Sequence, residues 1–365
     1  MSGRAQQVSN PAAPERRLWF LIPGDLNTPT GGYRYDRRMI QGLRDLDWRV
    51  EHRALGDGFP LPSQAEREQA RGVLAGIPDG ETVVVDGLAY GVLPDLAELH
   101  GRRLRLIALV HHPLWMETGL DPTRSRVLRR SEDRALAQAR GIIVTSGPTA
   151  RLLWGQGIAP DRIRVVVPGV DRAPAAIGAR DPGPRLLFVA TLTPRKGHDL
   201  LLRALKDLAS LPWQLHCVGS LGRDRRWSTQ MRRLTRDLGL DSRVTFTGAL
   251  DDASLVEEYR QADLFVFPSR FEGYGMVAAE ALAHGLPIVA TRTGALPDLV
   301  PPEVGVLVPP EDPKALGGVL ERLLADEGLR RRLAAGSRVA GMRLPTWSQA
   351  ARTFAAACQG IHPFE

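Results

Sequence analysis

Apolar runs of strand length alternate with longer amphipathic segments along the first half of the chain. The five runs occupy residues 18–23, 82–86, 104–110, 141–145 and 163–168. Segments with the apolar spacing of a helix, such as residues 33–46 and 125–139, lie between them. Continuous apolar strands separated by helices are typical of a parallel sheet covered on both faces.

A second series of the same kind follows a segment rich in Pro, Gly and Ala at residues 173–184. Its strand-length runs occupy residues 185–190, 213–218, 244–246, 264–267 and 287–290. The interruption predicts an α/β protein with two doubly wound, Rossmann-like domains joined by a linker. We assign residues 18–172 to the first domain, 185–345 to the second, and residues 1–17 to a disordered polar tail. Residues 346–365 contain a last predicted helix.

Composition agrees with two hydrophobic cores. The chain has 365 residues, of which 43% are hydrophobic, and this length exceeds what one core usually supports. Only Cys217 and Cys358 are present, so neither a disulfide framework nor a cysteine metal site is indicated. The first apolar run ends at Pro23 and is too short for a signal peptide or a membrane span. We therefore expect a cytoplasmic protein.

The net charge of +7 comes from arginine, which supplies 45 of the 48 basic residues and is spread along the chain. One local excess falls on a predicted helix and comprises Arg124, Arg126, Arg129, Arg130 and Arg134. A solvated helix face is the simpler interpretation. The alternative is peripheral contact with anionic lipid at the inner face of the cell membrane, or with an anionic acceptor. No nucleic-acid-binding motif accompanies the cluster, so we expect no nucleic-acid partner.

Two carboxylates, Glu272 and Glu280, flank a predicted helix start with seven residues between them. The apolar strand before them ends at Pro268, and an Ala-rich helix begins near Gly275. The amides at a helix N-terminus can bind phosphate, and Gly273 and Gly275 would let a ligand approach the backbone closely. The carboxylates can then accept hydrogen bonds from hydroxyls on either side. The alternative is that both glutamates are solvated charges.

This segment resembles the retaining, GT-B type glycosyltransferases of family 4 (glycosyl transferases group 1), whose hallmark is a glutamate pair at this spacing. The resemblance implies that Glu272 contacts the hydroxyls of the donor sugar and that Glu280 holds the ribose of the nucleotide. It also places the segment between them in the donor site, at Gly273, Tyr274, Gly275, Met276 and Val277. It further implies that the last helix, residues 347–359, crosses back to the first domain.

A basic loop, Thr191–His198, follows the first strand of the second series. Lys196 is one of only three lysines in an arginine-rich chain, and a compact ammonium suits the neutralisation of a diphosphate. The planar guanidinium of Arg195 adds several N–H hydrogen-bond donors. The family usually has an arginine where Thr191 stands, so we expect Arg195 to supply that charge. A solvated charge pair at a helix start is the alternative.

In the first domain, Gly31 and Gly32 follow the opening strand and precede a helix, a turn that can expose amides to phosphate or sugar oxygens. His111 and His112 end the strand at residues 104–110. The family commonly carries a histidine at this strand end, and His111 is the preferred match for contact with the transferring group. His112 is expected to satisfy loop backbone, and Glu117 to be a loop carboxylate.

Two more glycine loops complete the predicted donor site. Gly294 and Ala295 follow a strand and resemble the family's loop beside the donor, while Gly248 resembles the segment that lines the base pocket. A bare Asp-x-Asp spacing at Asp45 and Asp47 lies at the end of a helical pattern, where solvated charges are expected. We expect no metal and no cofactor, because a basic loop and a helix N-terminus can neutralise the diphosphate.

The sequence therefore predicts a metal-independent, retaining glycosyltransferase that moves a sugar from a nucleotide-diphosphate sugar to an acceptor hydroxyl. Its catalytic residues are predicted to be Glu272, His111, Lys196 and Arg195. Two alternatives remain: an inactive nucleotide-sugar-binding subunit, and a nucleotide-sugar epimerase of the same fold. Turnover separates an enzyme from a binding subunit.

Overall fold

The computed structural model describes residues 16–117, 119–179 and 183–361. Most of the predicted polar tail, part of the predicted linker and the last four residues lie outside these ranges. Within them, no helix is long and apolar enough to cross a membrane.

The first half forms a six-stranded parallel sheet in the order β2-β1-β3-β4-β5-β6. Its strands are β1 (Arg17–Pro23), β2 (Arg49–Leu55), β3 (Thr82–Asp86), β4 (Arg105–Val110), β5 (Gly141–Val144) and β6 (Ile163–Val165). Its helices are α1 (Gly31–Arg44), α2 (Gln64–Ala75), α3 (Gly87–Tyr90), α4 (Pro94–His100), α5 (Pro122–Gln138) and α6 (Gly147–Gly155). The strand order reverses between β1 and β3, and ligands of open α/β sheets bind at such a reversal.

The second half forms another six-stranded parallel sheet, in the order β12-β11-β10-β7-β8-β9. Its strands are β7 (Arg185–Val189), β8 (Gln214–Val218), β9 (Val244–Gly248), β10 (Leu264–Phe267), β11 (Ile288–Thr291) and β12 (Gly305–Val308). Its helices are α7 (His198–Lys206), α8 (Arg225–Asp237), α9 (Asp252–Gln261), α10 (Met276–Ala283), α11 (Leu296–Leu299), α12 (Pro313–Ala325) and α13 (Glu327–Arg343), and α14 (Trp347–Gln359) follows them. The order reverses between β7 and β10, which places that binding crevice at their carboxyl ends.

The predicted fold class is confirmed, and the structure adds two strands that the apolar pattern did not predict. β2 is mostly polar, with only Val50 and Leu55 buried, because it lies at one edge of its sheet. β12 is a four-residue edge strand. Edge strands lack a neighbour on one side and so lose the continuous apolar signature of central strands.

Helix α14 packs on the first sheet's helix α1, although it follows the second sheet in sequence. Phe354 of α14 lies 6.0 Å from Phe20 of β1 between ring centroids, in a stacked arrangement. Gly42 of α1 leaves no room for a Cβ, because one would overlap Ala351 of α14. This close helix approach ties the C-terminal segment to the first unit.

Candidate functional site

The loops after β7 and β10 bring Lys196 and Glu272 into direct contact at the reversal point of the second sheet. Lys196 Nζ donates to Glu272 Oε1 over 2.5 Å, and Arg195 Nη1 lies 3.5 Å from the same oxygen. Glu272 is only 6% exposed. The structure thus collects two cations around one buried carboxylate, although 76 residues separate Lys196 from Glu272.

Gly197 allows the two loops to approach this closely. It has the left-handed φ of 75° that glycine tolerates, and a Cβ there would overlap the carbonyl oxygen of Pro268. The backbone amide of Arg270 donates to the carbonyl oxygen of Arg195 over 2.7 Å. The Arg270 guanidinium also holds both carboxylate oxygens of Asp199 in α7, at 3.0 and 2.9 Å. These contacts fix the basic loop against the glutamate loop.

The two cations keep the Glu272 carboxylate ionised despite its burial. Burial alone raises the pKa of Glu272, but the positive charges of Lys196 and Arg195 outweigh it and leave this pKa below its ordinary value. A preorganised pocket of fixed charges results, and such charges are most effective where water is excluded.

Helix α10 presents an open N-terminus beside this cluster. Gly275 is its N-cap, with a φ of 95°, and no side chain caps the helix within the described residues. The amides of Met276 and Val277 at the start of α10 are therefore available to a ligand, whereas those of Ala278 and Ala279 donate to the Gly275 carbonyl oxygen. Tyr274 is buried, and its hydroxyl finds no hydrogen-bond partner in the described part of the chain.

Glu280 lies one turn further along α10 and faces the first unit. Arg34 Nη1 of α1 donates to its Oε1 over 2.7 Å, and the Tyr259 hydroxyl donates to its Oε2 over 3.0 Å. Burial raises the pKa of Glu280, and Arg34 and Tyr259 offset only part of that effect. Glu280 and Arg34 line a cavity of about 150 Å³ together with Asp252 and Trp347.

The predicted first-domain residues meet α10 across the cleft. A Cβ on Gly31 would lie 3.7 Å from the Met276 sulfur, and one on Gly32 would lie 3.5 Å from the His111 ring. A Cβ on Gly273 would overlap the carbonyl oxygen of His111. The structure therefore brings together Gly31, Gly32, His111, Gly273 and Met276, which the sequence placed in two domains.

The remaining predicted donor residues lie around this centre. Thr191 follows β7 and is half-buried, and Gly248 ends β9 with a φ of 80°. Gly294 packs against the backbone of Glu272, where a Cβ would overlap its carbonyl oxygen. The Ala295 amide donates to that same oxygen over 3.0 Å, so it braces Glu272. Asp45 and Asp47 are exposed, as expected, at the far end of α1.

His112 and Glu117 also belong to the cleft. Burial lowers the pKa of His112 to about 4, and its ring centroid lies 4.9 Å from that of Phe271. Arg195 Nε lies 3.1 Å from Glu117 Oε1, which links the two units. The expectation that His112 satisfies loop backbone is wrong, because neither of its ring nitrogens has a hydrogen-bond partner among the described residues.

Three further residues of this centre were missed by the sequence analysis: Arg34, Asp36 and Asp86. His111 Nε2 lies 3.0 Å from Asp36 Oδ1 and 3.4 Å from Asp86 Oδ2. Asp86 is the last residue of the buried strand β3, and a carboxylate at that position could have marked it as a site residue from the sequence. Asp36 lies on the apolar face of α1, where a charged residue is unusual and informative.

Two family models match this chain. The model for glycosyl transferases group 1 matches residues 170–339, and that for glycosyltransferase family 4 matches residues 82–173. The chain is 30% identical to an MMP alpha-(1->4)-mannosyltransferase of Mycolicibacterium hassiacum over 82% of this chain and 75% of that protein. The chain belongs to the family 4 glycosyltransferases. Its membership confirms the resemblance carried by the Glu272 segment.

Other relatives of this family 4 glycosyltransferase match over a shorter span. A D-inositol 3-phosphate glycosyltransferase of Acidothermus cellulolyticus is 36% identical over 231 residues, 58% of this chain. The chain spans about half the length of that relative, 51%. A similar protein of Xylanimonas cellulosilytica is 35% identical, with 57% of its length covered.

Solved structures confirm the GT-B fold of this glycosyltransferase. Sucrose-phosphate synthase from Thermosynechococcus elongatus superposes with a TM-score of 0.78 at 23% identity, over 93% of this chain and 98% of that one. HepE of Anabaena, in complex with UDP and glucose, superposes with a TM-score of 0.75 at 17% identity. The match covers 94% of this chain and 99% of HepE. At these identities the likeness establishes the fold.

Proposed function

We propose that this protein transfers a sugar from a nucleoside-diphosphate sugar to an acceptor hydroxyl, with retention of anomeric configuration and without a metal ion. The observation that carries the proposal is the contact of Lys196 and Arg195 with Glu272 beside the open N-terminus of α10. Two cations and helix amides suit a diphosphate, and a buried carboxylate suits sugar hydroxyls.

The donor binds with its diphosphate at the α10 N-terminus, against Lys196 and Arg195. Glu272 accepts hydrogen bonds from the sugar, and Glu280 accepts them from the ribose. The glycines at 31, 32, 273 and 275 let the ligand approach backbone amides, and Gly248 lies toward the base. Thr191, Tyr274, Met276, Val277 and Gly294 complete the wall of the donor site.

Stabilisation of the leaving group is the main catalytic device. Negative charge grows on the diphosphate as its bond to the sugar breaks, and Lys196, Arg195 and the α10 amides are already in place to receive it. These groups do the work that a divalent ion does in other transferases. His111, at the opposite wall, donates to an oxygen of the transferring group.

Retention follows a front-face route in this proposal. The acceptor hydroxyl attacks on the same face from which the diphosphate departs, and the departing phosphate oxygen takes the hydroxyl proton. Contacts between the units, such as Arg195 with Glu117, close the cleft over the donor. A closed cleft excludes water and suppresses hydrolysis.

The test is a thermal-shift screen against UDP, GDP, ADP and their sugars, with UDP first because HepE binds it. It compares the wild type with Lys196→Ala and Glu280→Ala. The matched controls are Lys206→Ala and Glu321→Ala, which change exposed residues of the same types. We expect one nucleotide series to stabilise the wild type and both controls but neither site variant.

A second measurement follows turnover with the donor that binds. We expect release of the nucleoside diphosphate in the presence of a chelator. We also expect the transferred sugar to keep the anomeric configuration that it had in the donor. Absence of any nucleotide shift overturns the donor assignment. Binding without turnover supports an inactive subunit, and inverted product overturns the front-face route.

A further inference from the structure

His111 is held by two aspartates that come from different elements of the first unit. Its Nε2 lies 3.0 Å from Asp36 Oδ1 on α1 and 3.4 Å from Asp86 Oδ2 at the end of β3. His111 itself follows β4. Because β1 and β3 border the reversal point of this sheet, the three side chains converge at the mouth of the cleft.

Both carboxylates are buried, whereas the histidine reaches the cleft. Asp36 is fully buried and Asp86 is 2% exposed, while the His111 side chain is 20% exposed. Asp36 Oδ2 has no hydrogen-bond partner among the described residues, and Asp86 Oδ1 accepts only from the Leu88 amide in the contacts seen there. Buried carboxylates need compensating charge, and His111 is the cation placed to give it.

We propose that Asp36 and Asp86 are positioning residues that clasp His111 at Nε2, hold its ring protonated, and so direct its Nδ1–H at the sugar or phosphate oxygens of the donor. This inference rests on the proposed function. It extends the site to two residues that touch neither donor nor acceptor, and it assigns the ring nitrogen that does.

The two aspartates favour a protonated His111 ring. Burial lowers the pKa of His111, but Asp36 and Asp86 outweigh it and raise that pKa to about 10. Burial raises the pKa of Asp36 to about 6, and His111 and Arg37 act in the opposite direction. The Tyr35 ring of α1 meets the His111 ring edge-on at 5.2 Å. From the second unit, the backbone of Gly273 covers the carbonyl oxygen of His111.

The test titrates His111 by NMR in protein with isotope-labelled histidine, in the absence of substrate. The chain has eight histidines, and the His111 signal is identified as the one that disappears in His111→Asn. We expect His111 to remain protonated above about pH 8 in the wild type, and its midpoint to fall by at least about one unit in Asp36→Asn and in Asp86→Asn. Asp45→Asn, an exposed aspartate at the end of the same helix, leaves the midpoint unchanged.

Kinetics with the bound donor provide the second readout. Asp36→Asn is expected to lower kcat about tenfold or more, with the loss growing as pH rises, and to leave the donor KM nearly unchanged. Asp36→Glu restores part of kcat because it restores the charge.

A wild-type His111 midpoint near the ordinary 6.5, unchanged in both asparagine variants, overturns the clasp. Selective broadening of the His111 signal by Mn²⁺, with activity lost on chelation, also overturns it by showing a cation between the carboxylates. A raised midpoint in a protein that binds no nucleotide leaves the clasp standing and contradicts the proposed function alone. If Asp36→Asn does not fold, the His111 midpoints of the wild type and of Asp86→Asn still test the clasp.

Discussion

Arg34 of α1 forms an ion pair with Glu280 of α10, with Nη1 2.7 Å from Oε1. A side chain of the first unit thus holds the carboxylate that we assign to the ribose of the donor. The same guanidinium lies 3.5 Å from Asp171, just before the predicted linker, and Arg38 pairs with Asp171 as well. Arg34 therefore connects the first sheet, the connecting segment and helix α10.

Loss of Arg34 is expected to open the cleft. The pair with Glu280 is largely buried, and Arg34→Ala removes this contact between the units. Among the described residues, the Tyr259 hydroxyl then remains the side-chain partner of Glu280. Small-angle X-ray scattering of the nucleotide-free variant should show a larger radius of gyration. Arg134→Ala is the control, because Arg134 pairs with Asp95 and Glu98 inside the first unit. Equal radii in both variants would contradict a closing role.

Lys196→Ala is expected to lower kcat about 10²–10³-fold, since one preorganised charge at the leaving group is typically worth that much. Donor KM should change less, because the charge on the diphosphate is greatest in the transition state. Steady-state kinetics with saturating acceptor measures both. Lys206→Ala, on the exposed end of α7, should behave as the wild type. A loss confined to KM would assign Lys196 to binding only.

Gly197→Ala tests the close approach of the loops that carry Lys196 and Glu272. An L-residue at a positive φ costs about 1–2 kcal/mol, and here the Cβ also overlaps the carbonyl oxygen of Pro268. Gly239 also has a positive φ, of 68°, but open space around it. We expect Gly239→Ala to show the backbone cost alone, and Gly197→Ala to lose more stability and nucleotide binding. Equal unfolding midpoints would refute the packing argument.

Glu132 predicts a pH dependence of stability. It is buried in α5, and both carboxylate oxygens lie 3.2 Å from the Leu114 amide. Burial raises its pKa from 4.5 to about 8, so the folded protein binds more protons than the unfolded chain between these values. Stability from this group is therefore full below the lower value and is lost as pH rises through the upper one.

Glu132→Gln removes that dependence. The variant should equal the wild type near the lower pKa and exceed it above the upper one by on the order of a few kcal/mol. Thermal unfolding midpoints across this range provide the measurement, with the exposed Glu321→Gln as control. Parallel curves for wild type and Glu132→Gln would show that folding does not raise the pKa of Glu132.

The arginine cluster of α5 is expected to behave as a solvated face. Arg134 pairs with Asp95 and Glu98, and Arg129 stacks over Trp115 with 5.2 Å to the ring centroid. Flotation with anionic and neutral liposomes should show equal partitioning of the wild type and Arg129→Glu, Arg130→Glu protein. Binding to anionic vesicles that the double variant loses would establish the membrane contact instead.

The sequence by itself determined the two parallel sheets and the loops that carry Lys196 and Glu272. Central strands are covered on both faces, so their apolar runs are visible locally, and polar residues just after them mark the carboxyl ends. The segment from Glu272 to Glu280 was equally visible in the sequence, because its glycines, its two glutamates and its helix start all lie within one short stretch.

Only the tertiary structure decided which of these loops meet. Strand order and the docking of the two units are non-local, so no periodicity shows that Asp36, Asp86 and His111 converge, or that Arg34 reaches Glu280. β2 escaped prediction because an edge strand exposes polar residues. The sequence thus determined the central strands, most helices and the loops that carry Lys196 and Glu272. The packing between distant elements determined which charged side chains surround them.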